Sequence, residues 1–240
     1  MLVFNFHHVE EKPADTSREL ISITPDGLRG LIRTMRGLGW EIISLAKALQ
    51  EPQPCRKNSR QLIITFDDGF SNNYHHAAPV LVEEKCPATI FVLPGLLNGH
   101  NNWDSPDEAS AHRDPLMSGE QMQELAQTGY FTFGSHGMTH RDMSRLSEEE
   151  LHYEIHESFH ILSQTLGKSF LPALAYPWGY HSSRTIKSLE SSPYRFAFTV
   201  EKKAWLPGHH PYKVPRYSVY GRDENKLILF SKLLRHGILF

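Results

Sequence analysis

Cysteine is nearly missing from this chain. Its 240 residues include only Cys55 and Cys86, and these form no C-x-x-C pair. That excludes a disulfide scaffold and a cysteine-ligated metal site. A dominant charge is missing too. Lys and Arg number 25 against 27 Asp and Glu, a net charge of −2, so no positive field is offered to a nucleic acid. No apolar run approaches the roughly 18 residues that a membrane-crossing helix needs. The opening Met1-Leu2-Val3-Phe4-Asn5-Phe6-His7-His8 has no basic n-region and too short an apolar stretch for a secretory signal. With Met1 as the true start, a cytoplasmic location is expected. Internal repeats and low-complexity linkers are also lacking. Hydrophobic residues at 40% and charged residues at 22% give a globular composition. A chain of this length buries roughly 70–75% of its unfolded surface, enough for a single domain over residues 1–240. What stands out is histidine, with 15 residues, which makes a histidine-based site worth seeking.

Apolar runs of strand length alternate with helix-period segments. The expected strands are Leu2–Phe6, Glu41–Ile43, Leu62–Phe66, Ala88–Leu93, Tyr130–Gly134, Ala173–Tyr176, Arg195–Val200 and Arg216–Tyr220. Leu62–Phe66 is apolar almost throughout, as a strand buried on both faces should be. Thr24-Pro25 reads as an N-cap followed by proline in the first helical turn, opening a helix to about Gly37. Ser147-Glu148-Glu149-Glu150 reads as a capping box, and the helix after it places Leu151, Ile155, Leu162 and Leu166 on one face. Such alternation implies βα units and a mainly parallel sheet, closed as a barrel or left as an open doubly wound sheet. Residues 98–115 fit neither period. They are polar and carry His100, Trp103, Asp104, Asp107, Glu108, His112 and Asp114, which suits either a lid-like insertion or a solvated loop.

Three clusters carry chemistry. The buried strand ends in Thr65-Phe66-Asp67-Asp68-Gly69, with two carboxylates at the carboxyl end of a central strand, where barrel sites are built. An Asp-Gly turn accounts for one aspartate and not two, because adjacent like charges need a cation or a proton to relieve them. The second cluster, Ser135-His136-Gly137-Met138-Thr139-His140, also follows a strand. On a helical turn, His136 and His140 would share one side. Two imidazoles and one carboxylate make a three-ligand site with an open position. The same spacing recurs at His152, His156 and His160, which flank an apolar stripe and are read as a solvated face. The third cluster, Leu174-Ala175-Tyr176-Pro177-Trp178-Gly179-Tyr180, reads either as a Pro-Gly turn or as a pocket wall with a backbone N–H for an oxyanion.

TFDDG, HGMTH and AYPWG, in that order at strand ends, resemble the polysaccharide deacetylases of the NodB homology group, carbohydrate esterase family 4. Phe6-His7-His8-Val9 and the stretch from Leu116 to His136 extend the likeness through most of the chain. The resemblance implies a distorted (β/α) barrel of about seven parallel strands and metal-dependent amide hydrolysis. It implies Asp67 as general base and Asp68, His136 and His140 as ligands of Zn2+ or another divalent transition metal. Tyr176, Pro177 and Trp178 would line the substrate groove, with the Trp178 N–H facing the oxyanion. The chemistry agrees: a metal lowers the pKa of its bound water to near 7 and polarises the carbonyl, and an adjacent carboxylate can take the proton.

Two family features are not found. Ala175 stands where many relatives carry an arginine that orients the base, and Arg216 is the candidate substitute, with a surface arginine as the alternative. The late Leu-x-His motif that supplies a general acid is not recognisable; Leu234-Arg235-His236 is a poor candidate and His209 and His210 are weaker still. His7, at the end of the first strand, is the preferred acid, and a histidine packed at the barrel rim is the alternative. Trp103 is expected to approach the pocket from the 98–115 insertion. The expected activity is removal of an N-acyl group from an amino-sugar-containing or other small N-acyl substrate, without nucleic acid. Deacylation of a non-carbohydrate amide, a non-catalytic carbohydrate-binding relative and an iron facial-triad oxygenase are the competing readings.

Overall fold

The computed structural model describes residues 1–12, 21–50, 60–103 and 113–224. Cys55, residues 104–112 of the insertion and Leu234-Arg235-His236 lie outside the described residues. The strands are β1 (Leu2–Phe6), β2 (His8–Val9), β3 (Ser22–Ile23), β4 (Glu41–Ile42), β5 (Gln61–Phe66), β6 (Ala88–Val92), β7 (Phe131–Ser135), β8 (Phe170–Ala175), β9 (Phe196–Phe198) and β10 (Tyr217–Ser218). The helices are α1 (Pro25–Gly37), α2 (Leu45–Gln50), α3 (Ala78–Glu83), α4 (Gly119–Gln127), α5 (Glu148–His152), α6 (Ser158–Leu166) and α7 (Ser183–Glu190).

The main sheet runs β10-β1-β5-β6-β7-β8-β9, with β4 paired to the start of β5, and every pairing is parallel. The sheet curls into a distorted (β/α) barrel, so the open doubly wound alternative does not apply. Closure comes from one stretch of chain. Val214 bridges Phe198 of β9, and three residues later Tyr217 pairs with Phe4 of β1. Because the strands are parallel, their carboxyl ends share one rim, where the three sequence clusters meet.

Period-two alternation sorts the side chains. Leu2, Phe4 and Phe6 of β1, with Leu62, Ile64 and Phe66 of β5, pack outward against the helices. Val3 and Ile63 join Phe91, Ala173, Ala175, Phe198 and Val214 in a second cluster inside the ring. Each fully buried phenylalanine contributes roughly 1.5–3 kcal/mol of transfer free energy. Gly134 gives the Phe91 ring its place, since a Cβ there would come 2.4 Å from that ring.

The helix signals are present as read. The Thr24 side chain caps α1 at the Gly27 N–H, and Ser147 with Glu150 forms a reciprocal capping box. Leu151, Ile155, Leu162 and Leu166 are all buried. The run is not one α-helix, however: a π turn over Tyr153–Glu157 separates α5 from α6. Burial pushes the Cys86 thiol up to about 12, so it offers no nucleophile.

Candidate active site

The chain leaves β5 through Asp67 and then turns sharply. Asp68 takes φ 68°, as does Gly69 after it. The reversal sends the two aspartates to different partners, which relieves the like-charge pair noted in the sequence. Asp67 points to Arg216, inside the barrel. The Arg216 Nη1 and Nη2 atoms donate to its Oδ1 and Oδ2, both at 2.7 Å. Arg216 is fully buried, its Nε donates to the Thr199 carbonyl at 3.0 Å, and its guanidinium lies 5.4 Å from the Phe91 ring centre. The Asn5 amide donates to Asp67 Oδ2 at 3.0 Å, and Asn5 Oδ1 accepts from Arg216 at 3.2 Å. Burial pushes the Asp67 carboxyl up, but the charges of Arg216 and then His136 outweigh it and hold the group below the ordinary carboxylate range.

Asp68 points to the histidines. Its Oδ1 lies 3.3 Å from His136 Nε2 and 3.2 Å from His140 Nε2. All three residues are buried. Burial raises the Asp68 carboxyl, yet the two imidazoles hold it well below its usual range. The reverse acts on His136: burial disfavours its cation, and the charge of Asp67 followed by that of Asp68 outweighs burial, raising its pKa.

These residues fit a divalent ion. Two ligands at about 2.0–2.1 Å from a tetrahedral centre lie roughly 3.3 Å apart, the spacing found here. Asp68 Oδ1 is buried and has no hydrogen bond of good geometry, although the two imidazole nitrogens lie close to it. His136 Nδ1 lies 2.8 Å from the Ala175 carbonyl, which can only accept. In the neutral ring that bond puts the proton on Nδ1 and leaves Nε2, the nitrogen facing Asp68, with its lone pair free for a metal.

The expected helical turn between His136 and His140 is absent. Residues 136–140 form a loop, with Gly137 at φ 83° and His140 at φ 61°. The histidines converge because the chain reverses, and their ring centres are 5.0 Å apart. A side chain on Gly137 would come 2.8 Å from a Glu154 carboxylate oxygen, so the reversal needs glycine. Trp178 is also left-handed, at φ 53°. Three non-glycine residues at one rim hold a conformation costing about 1–3 kcal/mol each, an expense that surrounding structure sustains at working sites.

His7, Asp67, Asp68, Trp103, His136, His140, Tyr176 and Trp178 line one cavity of about 150 Å3. The His7 ring nitrogen Nδ1 is buried without a hydrogen-bond partner. Trp103 stacks on the His140 ring at 4.2 Å, and Trp178 meets that ring edge-on at 4.3 Å. The insertion is tied at its feet, where His100 bridges Pro115 and the Asn101 N–H donates to the Asp114 carbonyl at 3.0 Å. Pro177 is buried at the turn after β8 and packs beneath the rim, while Trp178 and Tyr180 stand exposed there. Tyr176 is fully buried, with its hydroxyl donating to the Tyr212 carbonyl at 3.0 Å.

Arg216, arriving from the chain before β10, is buried and paired with Asp67, so the surface-arginine alternative does not apply. His210 caps the Tyr212 N–H and His209 accepts from Leu206, so both serve their own loop. Sequence reasoning missed Asn5 and Glu154. Each had a signal: a polar residue midway along an apolar strand, and a carboxylate on the buried stripe between Leu151 and Ile155.

A family model described as polysaccharide deacetylase matches residues 56–197, and the chain belongs to that family. A Staphylococcus epidermidis poly-beta-1,6-N-acetyl-D-glucosamine N-deacetylase is 26% identical over 239 residues, covering 91% of this chain and 78% of that protein. The protein of the same name from Staphylococcus aureus strain MSSA476 is 23% identical, covering 90% and 77%. Among solved structures, the Streptococcus pyogenes deacetylase PplD, in complex with acetate, superposes with a TM-score of 0.78 at 20% identity, covering 97% of both chains. IcaB from Ammonifex degensii gives 0.76 at 21%, covering 96% of both. These structural likenesses support the fold. His7 and Arg216 both lie outside the matched span of the family model.

Proposed function

We propose that the chain is a metal-dependent N-deacetylase that hydrolyses acetamido groups on an amino-sugar polymer, with zinc as its ion. The observation that carries this reading is the convergence of two differently partnered aspartates in one cavity. Asp68 faces two imidazole nitrogens at 3.2 and 3.3 Å, while Asp67 is clamped by Arg216. The names of the relatives add the substrate class.

An ion held by Asp68, His136 and His140 would supply a Lewis acid for the acetamide carbonyl and an acidified water. Asp67 is the base. Its Oδ2 already accepts from Arg216 and Asn5, whereas Oδ1 accepts from Arg216 alone, so Oδ1 has room for the water's proton. Arg216 keeps the carboxylate ionised and oriented. In the turn after β8, the Gly179 and Tyr180 N–H groups are bonded to Tyr176 and Pro177, which leaves the Trp178 N–H as the donor for the developing oxyanion. His7 delivers a proton to the departing nitrogen as the C–N bond breaks, since an amide nitrogen leaves as a neutral amine. The products are acetate and the free amino sugar.

The cavity, at about 150 Å3, is below the roughly 300–1,000 Å3 of sites that enclose a whole drug-sized ligand. It admits one acyl group and leaves the sugar against the aromatic rim of Trp103, Trp178 and Tyr180. The test is acetate release from poly-β-1,6-N-acetyl-D-glucosamine before and after removal of bound metal by a chelator, with zinc then restored. Release that stops and returns supports the reading; release that persists without metal overturns it.

A further inference from the structure

Outside the cavity floor, one buried acid is used by nothing in the chemistry above. Glu154 is fully buried, and its Oε2 accepts the backbone N–H of Met138 at 2.6 Å and of Thr139 at 3.1 Å. Its Oε1 accepts the Thr139 hydroxyl. These donors lie between His136 and His140. The third N–H of the loop, from Gly137, is taken by Ser135 Oγ at 3.0 Å, and the His136 N–H by the Val92 carbonyl at 2.8 Å. Every backbone donor from 136 to 139 therefore has an acceptor, two of them on one carboxylate.

Glu154 sits in the π turn between α5 and α6. A π turn weakens the local ladder of backbone bonds, and here Ser158 compensates. Its hydroxyl donates within reach of the Glu154 and Ile155 carbonyls, at 2.7 and 3.1 Å, and lies 3.0 Å from the buried Tyr194 hydroxyl. Such turns are frequent at functional positions because they redirect one side chain without breaking the helix. Here the redirected side chain enters the loop that carries both histidines.

We propose that Glu154 is a positioning residue that sets the separation of His136 and His140 in advance, and so sets the affinity of the site for its metal. The inference rests on the metal reading above. The loop holds two left-handed residues and would relax to a wider spread of histidine positions without its anchor. The carboxylate fixes the backbone between the ligands, not the ligands themselves, so the effect falls on zinc affinity and not on proton transfer.

Two substitutions separate hydrogen bonding from charge. In Glu154→Gln, the amide oxygen can accept from Met138 and Thr139 while the NH2 donates to the Thr139 hydroxyl, which turns to accept. Glu154→Leu removes every one of these bonds. Zinc affinity is read by competition with a chromophoric chelator, and the melting temperature of the metal-free protein is recorded alongside. Glu154→Gln is expected to stay within about threefold of the wild type, and Glu154→Leu to lose about 10–100-fold, the range for groups that orient metal ligands. Thr139→Val, which removes one bond, is expected to lose a smaller amount, and it keeps the test decisive if Glu154→Leu fails to fold. A merely structural glutamate would lower the melting temperature and leave zinc affinity of the folded protein unchanged; that result overturns the proposal, as does an equal loss in Gln and Leu variants. Failure of the wild type itself to bind zinc would overturn the metal reading and this inference with it.

Discussion

Two hollows lined by titratable side chains can be set against each other, and the larger is not the candidate site. Between α5 and α7 a groove of about 310 Å3 is lined by Glu148, His152, His156, Arg184 and Lys187, among others. Its His152 and His156 rings are 4.2 Å apart, closer than the 5.0 Å between His136 and His140. Both pairs have the same spacing in sequence. In the groove, His152 is exposed and His156 half-buried, and burial and the neighbouring His152 depress the His156 pKa. At the strand ends the rings are buried and face a shared carboxylate oxygen. Among the described residues only that cluster brings three ligand atoms together, all within 4.8 Å. Spacing brings imidazoles near one another; burial and a third donor are what would suit a pair to a metal ion.

The sharpest test of that contrast sets one histidine from each place side by side. His140→Ala should abolish stoichiometric zinc binding and acetate release, while the His152→Ala/His156→Ala double variant should match the wild type in both. Zinc content by mass spectrometry under native conditions reads the difference, and a metal deficit in the double variant would erase the distinction. Next in size, Asp67→Asn should retain zinc and lose about 10²–10⁴-fold in turnover, the usual loss for a general base. Turnover near normal would assign the base elsewhere. His7→Ala should also retain zinc and should lose turnover with little change in KM. Turnover near that of the wild type would return His7 to a packing role.

Arg216 permits a prediction with a sign. The folded-state pKa of Asp67 lies below its ordinary value because Arg216, more than any other cation, outweighs burial. The stability this contributes is present above the ordinary carboxylate pKa and is lost as pH falls through the depressed value. In Arg216→Met, burial is opposed by the neighbouring histidines and the Asn5 amide but no longer by the guanidinium, so the Asp67 pKa rises. The acid limb of the rate profile should then move to higher pH, and the protein should lose about 3–5 kcal/mol in urea unfolding at neutral pH, the cost of stranding a buried partner. An acid limb that stays in place would mean that another group titrates there.

Much of this was legible from residue order. β1 and β5 could be read because their buried positions are continuous, and the capping boxes because side-chain chemistry fixes them locally. Asp67, Asp68, His136 and His140 were legible from their place at strand ends together with motif likeness. The path of the loop was not, since a four-residue spacing suggests a helix and the reversal depends on Glu154, 14 residues beyond His140. Nor was the Asn5–Asp67–Arg216 network, whose members lie on β1, after β5 and before β10. Barrel closure brings them together, and no local pattern encodes closure. The π turn at 153–157 was hidden too, because the apolar stripe of Leu151, Ile155 and Leu162 continues through it.

Trp103 gives the smallest effect and the finest test of the two-place contrast. Its indole stacks on His140 at 21°, so one face covers a ligand ring. Only half-buried, it keeps part of its surface at the cavity mouth. Two roles follow from the two faces. If the stacked face matters most, Trp103→Ala loosens His140 and zinc affinity falls. If the outer surface matters most, the variant keeps its zinc and binds the sugar less well. The second outcome is expected, because His140 also has Trp178 against its ring at 4.3 Å and Asp68 at 3.2 Å. Loss of one aromatic contact is worth about 0.5–1.5 kcal/mol, so KM should rise about 2–10-fold with kcat and metal content little changed. Steady-state kinetics on amino-sugar oligomers with parallel zinc analysis separates the two. A fall in zinc content with unchanged KM would make Trp103 part of the metal support and would leave Trp178 and Tyr180 as the sugar-facing rim.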